Sequence, residues 1–221
     1  MFDQIPLDDD TLYSNPEPRC PVVLLLDSSG SMSGERINLL NQALRTFGDD
    51  LRDDSLAMKR CEIATVTFGE RVEVVSDFAS AEAFRHLTII PNGQTPMGGA
   101  VHKAIDMLDA RKAQYRNAGL KYYRPWIFLL TDGQPTDRWE DAARRAREGE
   151  EKSQFAFFAF AVEGANMDTL QQFSSKRPPQ KLRGNNFREM FLWLSSSLKS
   201  VSRSTPGMAI SLQKPSDEWT I

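Results

Sequence analysis

Asp27, Ser29 and Ser31 stand two residues apart, directly after the apolar run Val22-Val23-Leu24-Leu25-Leu26. An apolar run of strand length, closed by a Gly/Ser turn, reads as a buried strand of a parallel sheet. Its carboxyl end is where open α/β sheets place their ligand sites. One carboxylate followed closely by several hydroxyls is a set of hard oxygen donors, which suits Mg²⁺ better than a soft metal. A second run, Trp126 to Leu130, leads in the same way into Thr131-Asp132-Gly133. If these two strands are neighbours, Asp27 and Asp132 share one mouth of the sheet. Carboxylates held that close repel and one pKa rises, a conflict that a divalent cation removes. Asp-Ser and Asp-Gly are also common turn dipeptides, so either aspartate taken alone reads first as a turn former. The repeated pattern is what points to a metal.

The elements that must position these residues follow from periodicity. Ile37, Leu40, Leu44, Phe47 and Leu51 recur at helical spacing, with Glu35 in the first turn where a negative charge suits the dipole. Cys61–Phe68 and Val72–Phe78 are strands joined by the short turn Gly69-Glu70-Arg71, which requires an antiparallel pair. A short helix is predicted at about residues 80–86. After the loop Pro91 to Gln94, a helix is predicted with Thr95 as its cap and Pro96 at its first position. Asp137 and Glu140 are expected to form a capping box for the helix after Asp132. Phe155–Val162 and a short Gln180–Leu182 segment complete the strands. A short helix begins near Asp168, and Phe187, Met190, Phe191, Leu194, Leu198 and Val201 mark a final amphipathic helix.

Strands alternating with helices specify an α/β, doubly wound, mostly parallel six-stranded sheet with one antiparallel edge strand and helices on both faces. Residues 1–19 are expected as an irregular lead-in, 20–202 as one domain, and 203–221 as a polar tail whose order the sequence leaves open.

The 221 residues carry 40% hydrophobic content, enough for one core, and a net charge of −3, which argues against a strongly basic nucleic-acid binder. The basic stretch Ala142 to Arg147 is followed by Glu148, Glu150 and Glu151 and reads as a solvated helix face. No apolar run is long enough to cross a membrane, and the acidic N-terminus lacks a signal core. Cys20 and Cys61 both begin strands and read as a reduced, buried pair. A cytoplasmic protein with no membrane or nucleic-acid partner is therefore expected. Gly30-Ser31-Met32-Ser33-Gly34 opens a helix but lacks the Gly-Lys-Ser/Thr ending of a phosphate loop. No Gly-x-Ser-x-Gly elbow occurs, and His86 and His102 lie away from the strand mouths.

The segment Asp27-Ser28-Ser29-Gly30-Ser31 resembles the Asp-x-Ser-x-Ser signature of the von Willebrand factor A domain. Thr95, in Gly93-Gln94-Thr95-Pro96-Met97-Gly98, is similar to that family's loop threonine, and Asp132 to its later aspartate. The three elements occur in the family's order, and the resemblance covers about residues 20–202. Within the family, Asp27 to Glu35 and Thr95 to Ala100 resemble the bacterial tellurite-resistance TerY-type proteins, which are stand-alone cytoplasmic domains.

The resemblance implies a metal-ion-dependent adhesion site. Asp27, Ser29, Ser31, Thr95 and Asp132 would hold Mg²⁺ directly or through water, with Mn²⁺ or Ca²⁺ as alternatives. Three neutral hydroxyls leave the ion electrophilic, and a Glu or Asp of a partner protein is a natural further ligand. The expected function is a non-enzymatic, Mg²⁺-dependent protein-interaction module in a bacterial stress response, with kinase- or phosphatase-type proteins as plausible companions. The alternative is a metal-dependent hydrolase or phosphatase using the same carboxylates. That alternative needs a base, and Asp137 and Glu35 are the nearby candidates.

Overall fold

The computed structural model describes Leu12, residues 14–85 and residues 88–221. The strands are β1 (Cys20–Asp27), β2 (Cys61–Phe68), β3 (Val72–Ser80), β4 (Trp126–Thr131), β5 (Ala156–Ala161) and β6 (Gln180–Lys181). They form one six-stranded sheet in the order β3-β2-β1-β4-β5-β6. Among these six strands β2 and β3 pair antiparallel and the other pairings are parallel. The helices are α1 (Glu35–Arg52), α2 (Ser55–Arg60), α3 (Met97–Asn117), α4 (Glu140–Glu151), α5 (Met167–Gln171) and α6 (Phe187–Ser202).

Side chains on successive strand residues point to opposite faces, and this divides the core in two. Val22, Leu24 and Leu26 pack with Leu40, Leu44 and Phe47 of α1 and Phe191, Leu194 and Leu198 of α6. Val23 and Leu25 pack with Val101, Ala104 and Leu108 of α3 and Ala142, Ala143 and Ala146 of α4. Each central strand is buried on both faces, which is why β1 and β4 read as unbroken apolar runs rather than alternating ones. Residues after α6 lie along the β6 edge. Leu182 and Thr220 form an antiparallel bridge, and Trp219 packs on Phe160 and Trp193.

Three local expectations differ from the fold. Residues 81–83 form a turn rather than the start of a helix, because β3 continues through Ser80, and His86 lies outside the described residues. So do residues 1–11 and 13 of the expected lead-in. The cap of α3 is Pro96, not Thr95, and it makes no side-chain bond. Trp139 rather than Asp137 precedes α4, again without a side-chain cap. Asp137 serves the other helix: its carboxylate accepts from Gly98 N and Gly99 N at 3.0 and 2.8 Å. The expected pairing of Cys20 with Cys61 is present in the β1–β2 register, with both thiols free and buried.

The amino ends of the strands are closed by an ion cluster. Glu62 accepts from Arg19 Nε at 2.9 Å and Arg111 Nη2 lies 2.8 Å from its other oxygen, which also accepts from the Tyr115 hydroxyl. The side chains of Arg19 and Glu62 are only 2% and 6% exposed. Removing one partner of a buried pair strands the other charge, at a cost of about 3–5 kcal/mol. Glu62→Ala is predicted to lose that much in urea unfolding. A loss within the range of about 0–1 kcal/mol typical of surface pairs would contradict a stabilising role for the cluster.

Candidate metal centre

β1 lies between β2 and β4, and the chain leaves it toward one side of the sheet and returns on the other. This is the topological switch point, where the strand ends open a crevice. The β1–β4 register sets Leu26 opposite Leu130, so Asp27 ends one strand beside the Thr131-Asp132 end of the other. Asp27, Ser29, Thr95 and Asp132 are buried, and Ser31 is exposed at the rim.

One chain of hydrogen bonds runs across the mouth. Thr131 Oγ1 donates to Asp27 Oδ2 at 2.5 Å, and Ser29 N donates to Asp27 Oδ1 at 2.8 Å. The Ser29 and Ser31 hydroxyls are 2.9 Å apart, and Ser31 Oγ donates to Asp132 Oδ1 at 2.7 Å. Arg36 Nη1 donates to Asp132 Oδ2 at 2.9 Å. Four of the five residues singled out in the sequence are thus linked directly.

Thr95 reaches the same place from a separate loop. Its Oγ1 would sit only 2.9 Å from a Cβ at residue 133, so glycine there lets the threonine hydroxyl come up beside Asp132. Backbone contacts fix that loop on both sides. Thr95 N donates to Thr136 Oγ1 at 3.1 Å and Thr136 N to Thr95 O at 3.0 Å. Asn92 N donates to Ser28 O at 2.7 Å and Gly30 N to Gly93 O at 3.1 Å. Gly93 has φ of 75° and a Cβ there would lie 2.3 Å from Glu70 Cα, so glycine is required twice over.

Burial pushes the Asp27 carboxyl above its ordinary pKa. Hydrogen bonds from Ser29 and Thr131 pull the other way, and the charge of Asp132 adds to the rise. Among the described residues Asp27 makes no ion pair, whereas Asp132 pairs with Arg36. A buried carboxylate without a cation beside it, facing hydroxyl oxygens and a second carboxylate, is a donor set that fits a hard divalent ion. Asp27, Ser29, Ser31, Thr95 and Asp132 are the residues that would hold it. Among the described residues no group of three or more His, Cys, Asp or Glu is placed to hold a metal ion, so the hydroxyls of Ser29, Ser31 and Thr95 are needed to make up the donor set.

Sequence reasoning missed Thr131, Thr136 and Arg36. Thr131 was findable, since it precedes Asp132 and its strand pairs with β1. Nothing in the spacing marks Arg36. The two candidate bases are also resolved: both oxygens of Asp137 accept from the amino end of α3, and Glu35 stands exposed in the first turn of α1.

The model of the von Willebrand factor type A domain family matches residues 22–190, and the chain belongs to that family. Such domains typically serve as metal-dependent adhesion or protein-interaction modules. No curated protein matches the chain. Among solved structures the fold is similar to a von Willebrand factor type A protein from Catenulispora acidiphila. That match has 17% identity and a TM-score of 0.61 and covers 83% of this chain and 43% of that one. It is also similar to the pilus adhesin SpaC from Lactobacillus rhamnosus GG, at 14% identity and TM-score 0.66, over 85% and 32% of the two chains. A third is proximal thread matrix protein 1 from the mussel byssus with a zinc-occupied MIDAS motif, at 13% identity and TM-score 0.56, over 83% and 48%. The chain spans less than half the length of each of these three structures. Identities this low speak to the fold alone.

The raised pKa of Asp27 has a measurable consequence. The folded protein binds that proton more tightly than the unfolded chain, whose value is near 3.8. The contribution of Asp27 to stability is therefore best at low pH and is lost as pH rises through the folded pKa. In EDTA, Asp27→Asn should melt above wild type, by about 3 °C per kcal/mol of charge burial removed. The gap should widen from about pH 4 to pH 7, and excess Mg²⁺ should narrow it. A variant melting below wild type throughout that range in EDTA would contradict the assignment.

Proposed function

We propose that this chain is a non-enzymatic, Mg²⁺-dependent protein-interaction module whose site grips a Glu or Asp of a partner protein. The observation that carries the reading is the buried Asp27 carboxylate, linked through Ser29 and Ser31 to Asp132 at the mouth between β1 and β4. When bound, the ion supplies an electrophilic centre for an anionic ligand. Asp27, Ser29, Ser31 and Asp132 would hold it, and the hydrogen-bonded 92–96 loop sets Thr95 beside Gly133 to join them.

Several features favour binding over turnover. A hydrolase needs a base or nucleophile close to the carboxylates. Asp137 is engaged in capping α3, and His102 lies on α3, 3.4 Å from Arg145. The all-oxygen donor set favours Mg²⁺, with Mn²⁺ close behind. The zinc in the mussel relative's motif supports divalent binding in this kind of site. Assignment to a tellurite-resistance-like stress response, to the cytoplasm and to kinase- or phosphatase-type companions comes from the TerY-type resemblance of Asp27 to Glu35 and Thr95 to Ala100.

The test is a pull-down from lysate with tagged wild type and Asp27→Ala, each in Mg²⁺ and in EDTA, with circular dichroism as the check on folding. Wild type in Mg²⁺ should retain a partner at least tenfold enriched over the other three conditions, about 1.4 kcal/mol of coupling. A partner retained equally in all four would contradict the proposal.

A further inference from the structure

One cation already stands in the mouth. Arg36 lies in the first turn of α1, the end of a helix that favours negative rather than positive charge. What holds the guanidinium there is Asp132. Nη1 bonds Asp132 Oδ2 at 2.9 Å, and Nη2 lies 3.9 Å from Glu163 Oε2. The Asp132 side chain is fully buried, while that of Arg36 is 27% exposed and that of Glu163 is 78% exposed. Both Asp132 oxygens are therefore engaged, one by the Ser31 hydroxyl and one by Arg36.

We propose that Arg36 is the internal counter-cation of the metal centre: it competes with the divalent ion for Asp132 and so sets the concentration at which the site loads. The inference rests on the metal reading above. Guanidinium stays charged at any working pH, so it neutralises one of the two carboxylates whenever the ion is absent. It thereby limits the repulsion between Asp27 and Asp132 and keeps the donor set assembled. When the ion binds, the two buried carboxylates face one guanidinium and one divalent cation, which leaves one net positive charge at the buried centre, because Glu163 is 78% exposed and its charge is screened by water and salt. That excess opposes binding of the ion alone and is neutralised by one incoming carboxylate. Arg36 thus makes the site load reluctantly by itself and readily with an acidic partner, which is coupling between two ligands in the thermodynamic sense.

The probe is Mn²⁺ alone, titrated by calorimetry and by the paramagnetic resonance of the free ion, into wild type, Arg36→Gln and Arg45→Gln. Arg45 is an exposed arginine farther along α1 and controls for the change in net charge. Arg36→Gln should bind Mn²⁺ at least tenfold tighter, the effect that one unit charge has on a divalent ion about 6 Å away even at the dielectric of water. Arg45→Gln should stay within about twofold of wild type, because an exposed and distant charge is screened. Melting curves give a second reading. Arg36→Gln should melt lower than wild type in EDTA and gain more from saturating Mn²⁺. Binding by Arg36→Gln that equals or falls below wild type would overturn the inference and leave the metal reading standing. Equal tightening in Arg45→Gln would also overturn it. No Mn²⁺ binding by any of the three would overturn both.

Discussion

The parallel pairing of β1 with β4 is the constraint on which the rest depends. It is the one strand contact that joins the two halves of the doubly wound sheet, and its register puts Asp27 beside Thr131 and Asp132. Both faces of these strands are covered by helices, so the mouth sits above a dry core and Asp27 is fully buried. A carboxylate there cannot rely on bulk water for solvation. Hydrogen bonds from Ser29 and Thr131 offset part of that cost, and the raised pKa of Asp27 reports the remainder. The site is in this sense an unfinished electrostatic arrangement built into the centre of the fold.

Completion of the arrangement depends on loops rather than strands. Thr95 belongs to a connection between β3 and α3 that touches neither β1 nor β4 through the sheet. It is held by hydrogen bonds to the Ser28–Gly30 turn on one side and to Thr136 on the other. Asp137 then fastens the β4–α4 connection to the amino end of α3. Hydrogen bonds thus tie together the three segments that carry the candidate donor oxygens. Neutral hydroxyls set beside two carboxylates would suit an ion that demands octahedral geometry and would leave its charge available to an outside anion.

Much of this was legible in the sequence, for identifiable reasons. Strands buried on both faces write themselves as apolar runs, so β1, β4 and β5 stood out, and the repeat of an apolar run ending in aspartate marked the two carboxylates before their adjacency was known. The helices α1 and α6 declared themselves by period. What escaped depends on contacts distant in the chain. The six-residue α2 is the exception, a local element with a local Asp54 cap that is too short to show a period. Asp137 looked like the cap of the helix that follows it, yet it caps α3, because loop packing places it against Gly98 and Gly99. Nothing in the sequence singles out Arg36, and only the folded chain brings it to Asp132.

The central claim is that these five oxygen-bearing residues converge on one divalent ion. Anomalous diffraction from crystals of the chain grown with Mn²⁺ tests it most directly. The account predicts one strong peak ringed by Ser29, Ser31, Thr95, Asp27 and Asp132. A peak elsewhere, or none at saturating Mn²⁺, would contradict it.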